Sequence, residues 1–355
     1  MPGYGGFIPV NVVTGFLGSG KTTLLKRLLA SPRLQNVAVM VNEFGEVGLD
    51  HQLLSLVTEG TLLLENGCVC CAIRGDLQGG LRDLFAQRER GEVPPFDRVV
   101  IETSGLADPV PIAYTVLIEP VLQHHFRLGN VITVVDAVNG ACQLDSFPES
   151  VKQAAVADRI VITKTDLCEE SDVQALKQRL SGFNCSAPTY DAADETAPEL
   201  LLIEDAFDDN AKAGEVNRWL GQAETRSNPL EHDHTHGISS FCLRFEQPLD
   251  WTAFGIWMTM LLNRYGEQVL RIKGMLGVAG LDSPVVINGV QHVVHPPTHL
   301  DRWPDDDQSS RIIFIVRDLP HKRIEASLAA FNQLANPDTT SACAAAAAPE
   351  AMIGS

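Results

Sequence analysis

Residues 15–22 read Gly-Phe-Leu-Gly-Ser-Gly-Lys-Thr, and this octet constrains the fold more than any other stretch of the chain. It matches G-x-x-x-x-G-K-[ST]. A Val- and Ile-rich run, Ile8–Val13, precedes it and the helical stretch Lys21–Ala30 follows. Glycines let a backbone wrap an anion with its N–H groups, and a helix starting there turns its positive end toward the same charge. The pattern predicts a nucleoside triphosphate held by Gly15, Gly18, Ser19, Gly20, Lys21, Thr22 and Thr23. Lys21 is placed to reach the β- and γ-phosphates, and the Thr22 hydroxyl to ligate Mg²⁺.

The surrounding pattern agrees with a strand–loop–helix unit. Val37–Val41, Arg98–Ile101, Val131–Val135 and Ile160–Ile162 are short apolar runs, as expected of strands buried on both faces. The helical stretch Leu77–Arg90 lies between them and Asp172–Leu180 follows the last. This alternation predicts an α/β fold, a P-loop domain with a mostly parallel sheet, over residues 1–225. A His-containing linker is expected at 226–237. A smaller α+β sandwich of ferredoxin-like type is expected at 238–335, with one antiparallel sheet and two helices on one face. Its signals are a strand at Ile238–Phe245, helices at Asp250–Arg264 and His321–Leu334, and a strand at Arg311–Val316. Asn288-Gly289 predicts a hairpin turn, because both turn positions favour residues that accept positive φ. The tail 336–355, with its alanine run, is expected to be disordered.

Composition narrows the partners. The 355 residues carry 27 Lys+Arg against 45 Asp+Glu, a net charge of −18. Nucleic-acid binding needs a basic face, so that class is excluded. No apolar run is long enough to span a bilayer, and the N-terminal residues lack a basic leader, so the expectation is a cytoplasmic protein without membrane contact. Of eight cysteines only Cys68, Cys70 and Cys71 cluster, and a reduced pool is the expectation for the rest.

Two further motifs refine the nucleotide. Thr163-Lys164-Thr165-Asp166 follows the strand Ile160–Ile162. A carboxylate at Asp166 accepts both the N1–H and the 2-amino group of guanine and finds no such donors on adenine, which selects GTP. Glu102-Thr103-Ser104-Gly105 ends the strand Arg98–Ile101. In P-loop proteins a carboxylate there stands on the Mg²⁺ side, and the following glycine N–H senses the γ-phosphate. Lys21, Thr22, Glu102 and Gly105 are therefore the expected catalytic set. No glutamine follows Gly105, so slow intrinsic hydrolysis is expected.

Glu65-Asn66-Gly67-Cys68-Val69-Cys70-Cys71 places three thiols within four residues. Soft thiolates select Zn²⁺, Cu⁺ and their neighbours, and three ligands leave one position open. A redox thiol is the other reading, although the C-x-x-C spacing is absent. Taken together, GFLGSGKTTLL (15–25), NEFGEVGLD (42–50), ENGCVCC (65–71), ETSGLADP (102–109) and TKTD (163–166) resemble the CobW-like family of metal-chaperone GTPases. RIKGML (271–276) and the Trp303 region are similar to that family's carboxy-terminal domain. The resemblance implies a GTPase that carries Zn²⁺ or Co²⁺ on Cys68, Cys70 and Cys71 to a client metalloprotein or a cofactor-synthesis enzyme, with Glu43 or Glu46 as a further ligand. Thr163 stands where most GTPases have Asn.

The run His232-Asp233-His234-Thr235-His236 has two readings, a metal-sampling linker and a solvated one. The competing functions are an activator GTPase that acts by complex formation, of the nitrile hydratase activator type, and a small-molecule P-loop kinase. The sequence allows a monomer or a dimer.

Overall fold

The computed structural model describes residues 6–32, 34–41, 61–65, 73–193, 199–204, 212–224 and 237–335. Seven strands form the first sheet: β1 (Ile8–Thr14), β2 (Val37–Val41), β3 (Thr61–Glu65), β4 (Arg98–Glu102), β5 (Phe126–Asp136), β6 (Arg159–Thr163) and β7 (Thr189–Asp191). Their order is β3-β2-β4-β1-β5-β6-β7, and every pairing is parallel. Alternate residues face opposite layers of helices. Val10, Val12, Ala38 and Met40 pack toward helices Ile73–Glu89, Val110–Ile118, Pro148–Val156 and Glu170–Phe183. Val13, Val37, Val39 and Val41 pack toward helix Lys21–Leu29. The expected α/β P-loop architecture is the one observed. Because the strands are parallel, the loops that follow β1, β4, β5 and β6 all emerge at one carboxyl edge, where ligands bind in such sheets.

The second unit holds β8 (Ile238–Phe245), β9 (Val269–Leu276), β10 (Val285–Val290), β11 (Val293–Val294), β12 (Thr298–His299) and β13 (Ser310–Arg317). The order is β11-β10-β9-β13-β8, with β12 also on β10, and all pairings are antiparallel. Helices Trp251–Tyr265 and His321–Ala335 cover one face through Phe254, Trp257, Leu261, Ile324 and Leu328. This is the expected α+β sandwich. Within it the second helix follows the last long strand, in the order expected from the sequence.

One turn differs from expectation. Asn288 and Gly289 lie inside β10, paired with Lys273 and Ile272, and the hairpin reverses at Gln291-His292 with Gln291 at φ 50°. Continuing the β9–β10 ladder to Val290 satisfies more backbone groups than turning at Asn288 would.

The two units share a core. Leu270, Val290 and Ile315 of the second sheet join the cluster that contains Ala154, Ala155 and Phe183 of the first unit. Helix Lys212–Glu224 packs Val216, Trp219 and Leu220 on Met275, Val286 and Ile313 of the second sheet. Charges lie in this seam as well. Asp158 pairs with Arg271 and with Lys273 (3.0 Å), and Arg159 forks onto Glu215 at 2.5 and 2.6 Å.

Candidate functional site

The phosphate loop leaves β1 at the buried Thr14 and enters helix Lys21–Leu29. Gly15 has φ 140°, and a Cβ there would overlap the Val134 carbonyl, so no other residue fits. Lys21 is buried, and its ammonium donates to the carbonyls of Gly15 (2.9 Å) and Phe16 (3.1 Å). The Thr22 hydroxyl donates to Glu102 Oε1 at 2.6 Å. Parallel register brings this about: Val13 lies level with Glu102 across the β1–β4 ladder. Ser19 is fully buried and its hydroxyl finds no hydrogen-bond partner among the described residues, while Thr23 opens outward from the helix.

The loop after β4 rides on the phosphate loop. The Thr103 N–H donates to the Val13 carbonyl (2.9 Å), and its hydroxyl donates to Thr14 Oγ1 (3.0 Å). A Cβ on Gly105 would sit 2.5 Å from the Leu17 nitrogen, so this backbone contact requires glycine. Gln153 supports the same loop from the other side, a residue that carried no signal in the sequence.

The loop after β6 closes the third side. The Thr163 hydroxyl donates to the Ser19 carbonyl at 2.7 Å, tying this loop to the phosphate loop. Gly18 accepts from Lys164, whose ammonium also contacts Asp136 Oδ2 at 2.6 Å. Lys164 has φ 58°, which turns the chain into the single 3₁₀ turn Thr165–Leu167 and leaves Asp166 exposed. Asp136 was missed in the sequence, although it is an acid at a strand end. Burial would raise its pKa. Hydrogen bonds from Lys164, Asn139 and the Val138 N–H outweigh that and hold the carboxyl below the usual range.

Cys68, Cys70, Cys71, Glu43, Glu46 and the His232–His236 run lie outside the described residues. Among the described residues, no group of three His, Cys, Asp or Glu side chains is arranged to hold a metal ion. Cys142, Cys168, Cys185 and Cys242 form no disulfide. His125 stacks on Phe85 with ring centroids 4.0 Å apart, and His295 is buried.

Three loops converge on one strand edge and bring a lysine, a hydroxyl and a carboxylate together there. Residues 9–191 match the CobW/HypB/UreG nucleotide-binding domain, and residues 238–332 match the cobalamin synthesis protein CobW C-terminal domain. The chain belongs to the CobW family of P-loop GTPases. It is 36% identical over 326 residues to the zinc chaperone YjiA of Escherichia coli strain K12, covering 91% of this chain and 98% of that protein. A Saccharomyces cerevisiae relative, zinc-regulated GTPase metalloprotein activator 1, is 28% identical over 90% of this chain and 82% of its own length. The crystal structure of Zn(II)-bound YjiA GTPase from E. coli aligns with a TM-score of 0.70 at 31% identity, over 92% of this CobW-family chain and 99% of that one. No helix among the described residues is long and apolar enough to cross a membrane.

Proposed function

We propose that this GTPase is a metallochaperone that binds Zn²⁺ or Co²⁺ as cargo on Cys68, Cys70 and Cys71 and releases it to a client metalloprotein under the control of GTP hydrolysis. The observation that carries this reading is the register of β3. Glu65, Val41 and Glu102 lie level across β3, β2 and β4, at the edge that bears the nucleotide loops. Cys68 follows Glu65 by three residues, at most ~11 Å of extended chain. The segment that carries the thiols and the segment joining β2 to β3, which carries Glu43 and Glu46, therefore both leave from the edge that bears Glu102. Names of relatives as a zinc chaperone and as a zinc-regulated GTPase metalloprotein activator support the same direction.

In this reading Lys21 leaves the Gly15 and Phe16 carbonyls for the β- and γ-phosphates. Thr22 and Glu102 offer a hydroxyl and a buried carboxylate, a donor set of oxygens that suits Mg²⁺. When bound there, Mg²⁺ neutralises charge on the β- and γ-phosphate oxygens. Gly105 turns its N–H to the γ-phosphate, and Asp166 reads the guanine edge.

If GTP and metal favour one conformation, each raises the affinity of the other. Titration of Zn²⁺ and Co²⁺ against the complexes with a non-hydrolysable GTP analogue and with GDP tests this. The expected result is tighter metal binding with the analogue, by roughly 5- to 150-fold, the usual range of such coupling. Replacing Cys68, Cys70 and Cys71 together by Ser should abolish high-affinity binding, because hydroxyls are poor ligands for these metals. Equal metal affinity in both nucleotide states would leave the thiols a structural role. Retained affinity in the triple variant would move the cargo site to the His232–His236 run.

A further inference from the structure

Helix Pro148–Val156 touches the nucleotide machinery along its length and the second domain at its end. The Phe147 ring, just before its first turn, lies on Phe16 of the phosphate loop with centroids 4.5 Å apart. The Lys152 ammonium donates to Asp108 Oδ2 at 2.6 Å. Gln153, 1% exposed, sends its amide N–H groups to the carbonyls of Gly105 (3.2 Å) and Ala107 (3.0 Å). The backbone carbonyl of Gln153 accepts from the Thr133 hydroxyl at 2.7 Å, which ties the helix to β5.

Gly105 thus lies between two supports. The Leu17 backbone stands on one side, close enough to exclude any Cβ, and the Gln153 amide stands on the other. Two carbonyls of one short loop share a single buried donor group. Removing that donor leaves the buried Gly105 carbonyl and the half-buried Ala107 carbonyl without it, which shifts the loop to find other partners. A shift of the loop moves the Gly105 N–H. By contrast, the Gly15–Lys21 backbone that cradles the inner phosphates takes no hydrogen bond from Gln153.

We propose that Gln153 is a positioning residue for GTP hydrolysis: it fixes the Gly105 loop so that the chain distinguishes GTP from GDP. The inference rests on the reading of Gly105 as the γ-phosphate contact. Gln153 is buried beneath the loop and acts through the two carbonyls it holds. Its effect therefore belongs to the γ-phosphate and leaves the base and the inner phosphates alone.

The test compares Gln153→Leu and Gln153→Met, two uncharged side chains of similar volume that lack the donor. Affinities for a fluorescent GDP and a fluorescent non-hydrolysable GTP analogue are measured by titration, and kcat and KM from steady-state hydrolysis. GDP affinity should stay within about twofold of wild type, while the preference for the GTP analogue falls about tenfold, the worth of one to two net hydrogen bonds. The loss in hydrolysis should appear in kcat. Two results overturn the proposal: an unchanged preference in both variants, or a parallel loss of GDP and analogue affinity, which would mark Gln153 as packing. Gly105→Ala separates the underlying reading. A wild-type preference for the analogue that survives Gly105→Ala would show that Gly105 does not sense the γ-phosphate, whatever Gln153 does.

Discussion

Lys164 links three parts of the nucleotide site with one ammonium group, since it donates to the Gly18 carbonyl and to the buried Asp136 while its backbone turns the chain toward Asp166. Replacing it with methionine keeps the aliphatic stem and removes the cation. Asp136 is then a buried carboxylate without its ion pair, and the phosphate loop loses one tether. Hydrogen bonds to charged groups are worth about 1.5–3 kcal/mol, so Lys164→Met should weaken GDP and GTP alike by roughly 10- to 150-fold in equilibrium titration. Asp166 predicts a different pattern. It is exposed in the turn that follows Lys164, and its carboxylate suits the N1–H and 2-amino donors of guanine. Asp166→Asn should weaken GTP and favour xanthosine triphosphate, whose C2 carbonyl accepts where the guanine amine donates. Unchanged GTP affinity in a competition assay would place base recognition elsewhere. The two residues also show what a sequence reveals at this scale. The octet at 15–22 and TKTD were legible because each packs its chemistry into neighbouring positions. Asp136 and Gln153 were not, because their partners lie 28 and 48 positions away.

Elements were legible where burial is uniform. β2 and β6 are buried at every position and apolar at nearly all, so they read as parallel strands from sequence alone. β9 is buried along its whole length too, yet it carries Arg271 and Lys273, and those charges hid it. Helix Pro148–Val156 escaped for another reason: it is only nine residues long, and what holds it is remote. The Asn184 side chain donates to the carbonyls of Ala154 (3.0 Å), Ala155 (3.1 Å) and Ala157 (2.9 Å), closing the end of the helix from the far end of helix Glu170–Phe183. Asn184 is completely buried, so no water replaces it. Asn184→Ala leaves three carbonyls short of a donor and should cost about 1–3 kcal/mol in urea unfolding. A loss below ~0.5 kcal/mol, the low end for one net hydrogen bond, would mean that the carbonyls find other partners.

At the scale of the whole molecule, the seam between the two sheets buries three cations of an acidic chain, Arg159, Arg271 and Lys273. Asp158 holds Arg271 and Lys273 and accepts the Val131 N–H at 3.0 Å. Burial alone would raise its pKa, but the two cations and the backbone donor hold it far below the usual carboxylate range. Asp158→Asn strands two buried positive charges. Breaking a buried pair by removing one partner costs about 3–5 kcal/mol, and here the loss should fall on both domains together because they share a core. His295 adds a pH dependence. Buried in the seam, it has its pKa pushed down to about 3, by burial first and then by the charge of Arg271, with Asp158 opposing and Arg127 adding to the fall. In the unfolded chain a histidine titrates near 6.5. Between these values the unfolded state binds a proton that the folded state refuses, so stability falls as pH falls, by at most about 1.4 kcal/mol per pH unit. The Asp158 contribution has the same sign but a lower window, since it is lost only as pH drops below the ordinary carboxylate range. The two effects separate between pH 6.5 and 5. Urea unfolding across that range should show a slope in the wild-type chain, and His295→Gln should flatten it while leaving the steeper loss below pH 4 in place. A slope that survives His295→Gln would assign the pH dependence to another group and leave His295 a packing residue of the seam.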